Sequence, residues 1–157
     1  MKLEGPDSFR ITILPTGDPK RFEIAHATGA VKFPGKATSP SPKLYVVSAN
    51  KRPIYVGITK QRMRQRLRLG WTATGESGYH GYQWRHQYNA VGLDIWYHVG
   101  RRAVDSMHDL ETVEAEVVFL IRQHGQWPAF QTEIHFHKST PAHRALAEMI
   151  WSYYRES

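Results

Sequence analysis

Two short runs rich in β-branched and aromatic residues constrain this chain more than any other feature. Leu44-Tyr45-Val46-Val47-Ser48 and Ile54-Tyr55-Val56-Gly57-Ile58-Thr59 are each of strand length, and Ala49-Asn50-Lys51-Arg52-Pro53 supplies a turn between them. Together they predict a β-hairpin. Gln61-Arg62-Met63-Arg64-Gln65-Arg66-Leu67-Arg68-Leu69 follows with no helix breaker. Met63 and Leu67, four apart, share one helix face, and Arg62 and Arg66 share another. Gly70 closes that helix.

The rest of the chain is read around this unit. Residues 1–43 are turn-rich and predict an extended N-terminal arm. Within it Phe9 to Leu14 alternates like a strand, and Gly35 to Pro42 resembles a linker into a main domain over 44–157. Residues 70–90, rich in glycine and aromatics, predict a loop leading into a short helix. Leu93 to Val99 alternates as a third strand. Ser106 and Asp109 have capping-box spacing and open a helix that runs to about His124, with Gly125 as its stop. Its apolar stripe is Val113, Val117, Leu120 and Ile121. Thr140-Pro141 opens a last helix, with Leu146, Ile150 and Tyr153 as its buried edge. The order predicts a small α+β domain whose mostly antiparallel, three-stranded sheet is flanked by helices.

Composition narrows the function classes. The 157 residues suit one domain, and their formal net charge is +7, apart from nine histidines. A basic domain of this size suits a polyanion, because Lys and Arg gain by displacing counterions from phosphates. The alternative is plain solubility charge. The chain has no cysteine, which excludes disulfides, thiolate zinc sites and a cysteine nucleophile. No stretch approaches the roughly 18 apolar residues a membrane span needs, and Met1 to Pro6 carries no apolar run. A cytoplasmic protein is the expectation.

A tyrosine on one strand, Tyr-x-Gly ten residues later and then a basic helix resembles the signature of the GIY-YIG nucleases. Leu44-Tyr45-Val46 stands where the family name has Gly-Ile-Tyr and keeps only the tyrosine. Tyr55-Val56-Gly57 is the second motif. Arg66, followed by Leu67, matches the family's helix arginine, one residue further along than in the commonest pattern. This longer spacing resembles a subset that includes small restriction enzymes. The family glutamate on a later helix matches Glu116 best, in competition with Glu111 and Glu114. Glu116 borders the buried stripe, and Glu114 points about 200° away from it around the helix.

The resemblance implies a divalent-metal-dependent DNA endonuclease acting on double-stranded DNA, restriction-like and perhaps working as a homodimer. Tyr45 would be the general base, Tyr55 would orient water or phosphate, and Arg66 would hold phosphate. Glu116 would bind one Mg²⁺ or Mn²⁺. The chemistry agrees with these types: Mg²⁺ takes few protein ligands, and a guanidinium matches phosphate geometry. A tyrosine serves as base only when nearby cations lower its pKa from about 10. Taken singly, Tyr45 and Tyr55 also suit plain cross-strand packing.

Two positions depart from the family pattern. Where many members carry a histidine or tyrosine one turn after the arginine, this chain has Gly70, with His80 and His86 as substitutes to consider. Gln131 occupies the slot of a frequent asparagine. Lys60, Arg62, Arg64, Arg68, His80, Arg85, His86 and Gln131 are the candidate DNA contacts. Lys20, Arg21, Lys32 and Lys36 suit an arm that wraps DNA or serves in dimerisation. His135 and His137 would share one face of a strand, a possible metal pair, although Ile134 and Phe136 facing the core is the preferred reading. A catalytically inactive nucleic-acid-binding module, a repair or mobile-element nuclease, and a basic partner-binding protein are the alternatives.

Overall fold

The computed structural model describes residues 2–18, 20–75, 81–99, 106–126, 128–131 and 134–155. The hairpin forms as expected. β3 (Lys43–Ala49) pairs antiparallel with β4 (Arg52–Thr59), and Tyr45 lies opposite Gly57. The turn takes Asn50 and Lys51 through positive φ, at 50° and 64°. β5 (Ala90–Val99) flanks β3 on its other side.

The sheet does not stop at three strands. β1 (Lys2–Ile13) pairs antiparallel with β5 over most of its length, and β2 (Phe22–His26) pairs with β1, giving the order β2-β1-β5-β3-β4. The expected extended arm therefore supplies two of the five strands of the sheet. Its alternation was short and broken by turns, so the register with distant β5, which fixes it in place, was not readable locally. The expected linker contains a 3₁₀ turn (Gly35–Thr38) whose Ala37 is fully buried.

Each sheet face carries its own core. Phe9, Ile11, Phe22, Tyr45, Val47, Leu93 and Ile95 line one face, covered by α1 (Met63–Thr72) through Met63 and Leu67. Leu44, Val46, Val56 and Trp96 line the other, covered by α2 (Ser106–Gln123) and α3 (Pro141–Tyr154). β3, in the interior, is buried on both faces and reads as a continuous apolar run.

The caps behave in part as predicted. Thr140 caps α3 with Pro141 behind it, His143 completes the box, and Gly125 ends α2 at φ 79°. Asp109 instead engages His143 Nε2 at 2.7 Å, pinning α2 to α3. Tyr153 is exposed; Tyr154 and Trp151 are buried in its place. Residues 134–140 form no strand, so the expected facing of Phe136 fails: it is 74% exposed, while His137 lies 3.3 Å from Glu111. Buried Lys43, unremarked in the sequence, donates to the carbonyls of Ser39, Ser41 and Gln61 and ties the linker to the start of α1. Among the described residues no helix is long and apolar enough to cross a membrane.

Candidate active site

Strand period two puts Tyr45 and Tyr55 on the same face of the hairpin, and their rings lie 6.0 Å apart. Between them sits Gly57. A Cβ there would come within 2.5 Å of the Tyr45 ring and 2.8 Å of the Tyr55 ring. The glycine of Tyr-x-Gly thus creates the space in which the two phenols converge. Arg66, half-buried on α1, faces both, and its charge acts on each hydroxyl.

One turn past Arg66, Gly70 leaves room that another part of the chain fills. Tyr82 places its ring where a Gly70 side chain would be; a Cβ on Gly70 would overlap that ring. Its hydroxyl meets that of Tyr45 at 2.9 Å, its backbone N–H donates to Gly70 O at 2.9 Å, and the Arg66 guanidinium lies 5.0 Å from its ring centre. Trp84, from the 3₁₀ turn Gln83–His86, stacks on Tyr82 at 4.9 Å. Tyr82 is not among the candidates read from the sequence. Gly70 was the available clue, because a glycine inside a helix marks a close approach.

The glutamates sort differently from expectation. Glu114 is 7% exposed, and its charge bears on Tyr55. Glu116 is half-buried two residues on, about 200° around α2. α2 is buried against both the sheet and α3, so it has more than one buried stripe. A clearer clue was present: Leu110, Glu114, Val117 and Ile121 follow helical spacing, which places a carboxylate inside an apolar row.

The remaining candidates are placed as follows. Gln131 caps the open edge of β4: its Oε1 accepts from Val56 N at 2.8 Å and its Nε2 donates to Val56 O at 2.9 Å. Arg85 donates to the carbonyls of Tyr82 and Ala73 and so holds the aromatic loop in place. Lys60, Arg62, Arg64, Arg68 and His86 are exposed, and His80 lies outside the described residues.

Electrostatics bear directly on the chemistry. Burial pushes the Tyr45 hydroxyl well above the ordinary tyrosine value; Tyr82 adds to the rise and Arg66 opposes it. Tyr55 is raised likewise by burial, then by Tyr45, again against Arg66. Both are held as neutral phenols. Glu114 is the carboxylate whose charge bears on Tyr55, and the described residues contain no group of three or more His, Cys, Asp or Glu suited to a metal. A carboxylate of this kind fits a hydrated hard cation, which keeps most of its waters, rather than a transition-metal cage.

Compared with protein-family models, curated proteins and solved structures, the chain matches none.

Proposed function

We propose that this chain is a divalent-metal-dependent DNA endonuclease of GIY-YIG type that hydrolyses phosphodiester bonds, with restriction-type, sequence-specific cleavage as the finer reading. The observation that supports it is the convergence of Tyr45, Tyr55 and Arg66 on one hairpin face, with Glu114 bearing on Tyr55. Phosphodiester hydrolysis needs an oriented water, charge relief on the phosphoryl oxygens and help for the leaving oxygen. Arg66 supplies a fixed charge for the phosphate, and the Tyr55 hydroxyl orients phosphate or water. Glu114 is the residue that would hold one Mg²⁺ or Mn²⁺, whose bound form relieves phosphate charge as a Lewis acid.

Tyr45 as general base requires its phenolate, which Arg66 favours and burial opposes. Either hydroxyl of the Tyr45–Tyr82 pair is able to donate; at 2.9 Å Tyr82 fixes where the Tyr45 hydroxyl points while raising it further. Tyr82 is thus the positioning residue in this reading. The same burial favours a second reading, a DNA-binding module without catalysis, because Tyr45 has no exposed surface.

Plasmid DNA incubated with Mg²⁺ or Mn²⁺ separates the two. Discrete bands lost in Arg66→Ala and Glu114→Ala but kept in Glu116→Ala support the enzyme and this choice of glutamate. Smearing would leave a nonspecific nuclease. Absence of cutting across many sequences, with salt-sensitive binding intact, would leave the binding module.

A further inference from the structure

Arg64 and Arg68, four residues apart, share an exposed face of α1. The fold sets that face against the outer edge of the sheet, where β2 ends the strand order. Between helix and strand lies an open groove of about 900 Å³. Five cations line it, Lys20, Arg21, Lys32, Arg64 and Arg68, against one carboxylate, Glu23. Phe22 contributes to its wall, with the Arg64 guanidinium 5.9 Å from its ring centre. Among the described residues, no ion pair engages any of these five cations. Like charges gathered around one hollow repel unless an anion lies between them.

The extent of the basic surface indicates what kind of anion. A second hollow of about 420 Å³ shares Arg21 and adds Arg85 and His86 at the far end of α1, against one carboxylate, Asp18. The basic line therefore runs the length of a ten-residue helix, about 15 Å, or four to five phosphate rises at about 3.4 Å along one strand. A single phosphate or nucleotide would occupy only part of it. Arg66 lies two residues from both Arg64 and Arg68, about 200° around α1, so the tyrosine cluster and the groove occupy opposite flanks of one helix. A helix diameter of about 10 Å separates them, some three base-pair rises.

We propose that this groove is a track for the phosphate backbone of duplex DNA, which straddles α1 so that one stretch of backbone lies in the groove while another reaches Arg66. The choice of DNA rests on the function proposed above, but the groove and the chemistry are tested separately. Duplex binding by the full-length protein is measured as a function of salt, without divalent metal, for wild type, Arg64→Gln/Arg68→Gln, Lys32→Glu and the distant control Arg155→Gln. Losing two phosphate contacts reduces the slope of log K against log salt by about 1.8 and weakens binding about tenfold or more near 0.15 M salt. Lys32→Glu weakens binding in the same direction, and Arg155→Gln leaves it unchanged.

Unchanged slope and affinity in both groove variants, with circular dichroism showing intact folds, would overturn the track. So would tighter binding to phosphatidylserine vesicles than to duplex DNA, if only the vesicle binding depended on Arg64 and Arg68. Plasmid cleavage that persisted beside an unaffected salt slope would remove the groove and leave the nuclease. Groove-dependent binding without any cleavage would keep the track and remove the enzyme.

Discussion

At the scale of single residues, Gly70 has an effect opposite in sign to its usual one. A glycine inside a helix ordinarily costs about 1 kcal/mol relative to alanine, so Gly70→Ala would be expected to stabilise α1. Here the added methyl would overlap the Tyr82 ring, which is 2% exposed and stacked on Trp84. Overpacking of this kind costs about 1–3 kcal/mol, so the clash outweighs the propensity gain. Gly70→Ala is predicted to lower the denaturant midpoint; a raised midpoint would show that Tyr82 moves aside freely. Tyr82→Phe separates packing from chemistry. The ring stays and one of the two hydroxyl partners of Tyr45 is lost, Tyr55 remaining, at a cost of about 1 kcal/mol. If the proposed chemistry holds, the pH profile of cleavage shifts to lower pH, because the Tyr82 contribution that raises the Tyr45 hydroxyl is lost. A merely structural Tyr82 would leave that profile unmoved.

At the scale of elements, two polar contacts hold strands in place from outside the sheet. β4 is an edge strand, and an open edge invites pairing with another chain. Gln131 occupies that edge with both halves of its amide, and Phe130 N donates to Ile54 O at 2.9 Å beside it. Gln131→Leu is predicted to cost about 1–3 kcal/mol and to speed hydrogen exchange at the Val56 amide selectively. Exchange that rose equally along β3 would mean global destabilisation instead. At the centre, Asp94 on β5 accepts from Ser8 of β1 and Tyr154 of α3, each at 2.6 Å. Burial raises its carboxyl above the ordinary 3.8, with those two hydrogen bonds pulling the other way. The folded state therefore binds this proton more tightly than the unfolded chain does. The resulting stability is full below the unfolded value of about 4, falls as pH rises through the folded value, and then levels. Asp94→Asn should remove that decline from denaturant midpoints measured between about pH 4 and 7. An identical slope in both proteins would show that the two hydroxyls fully compensate the buried charge.

At the scale of the whole molecule, what the sequence revealed depended on how local each determinant is. The hairpin, α1 and the Thr140 cap rest on spacings within a dozen residues, and they stand where those spacings place them. Tyr45, Tyr55 and Arg66 converge for the same reason. Tyr82 and the sheet role of residues 2–26 rest on contacts across tens of residues, which periodicity cannot report. The burial of Glu114 is locally visible, as a carboxylate in an apolar row, whereas the second packing face of α2 depends on the distant α3. The consequence reaches the domain boundary once drawn at residue 44. Residues before it contribute Phe9, Ile11, Phe22 and Ile24 to the core shared with Tyr45, Leu93 and Ile95. Burying each contributes about 1.5–3 kcal/mol, so the four together approach the whole 5–15 kcal/mol that holds a domain folded. Removing them also leaves β5 unpaired along the edge it shares with β1. A fragment spanning residues 44–157 is therefore predicted to show no cooperative denaturant transition and to aggregate, although it contains every proposed catalytic residue. The intact chain is predicted to unfold in one transition. A fragment that unfolded cooperatively and kept the Val56 amide protected would show that β1 and β2 dock onto a core already able to stand without them.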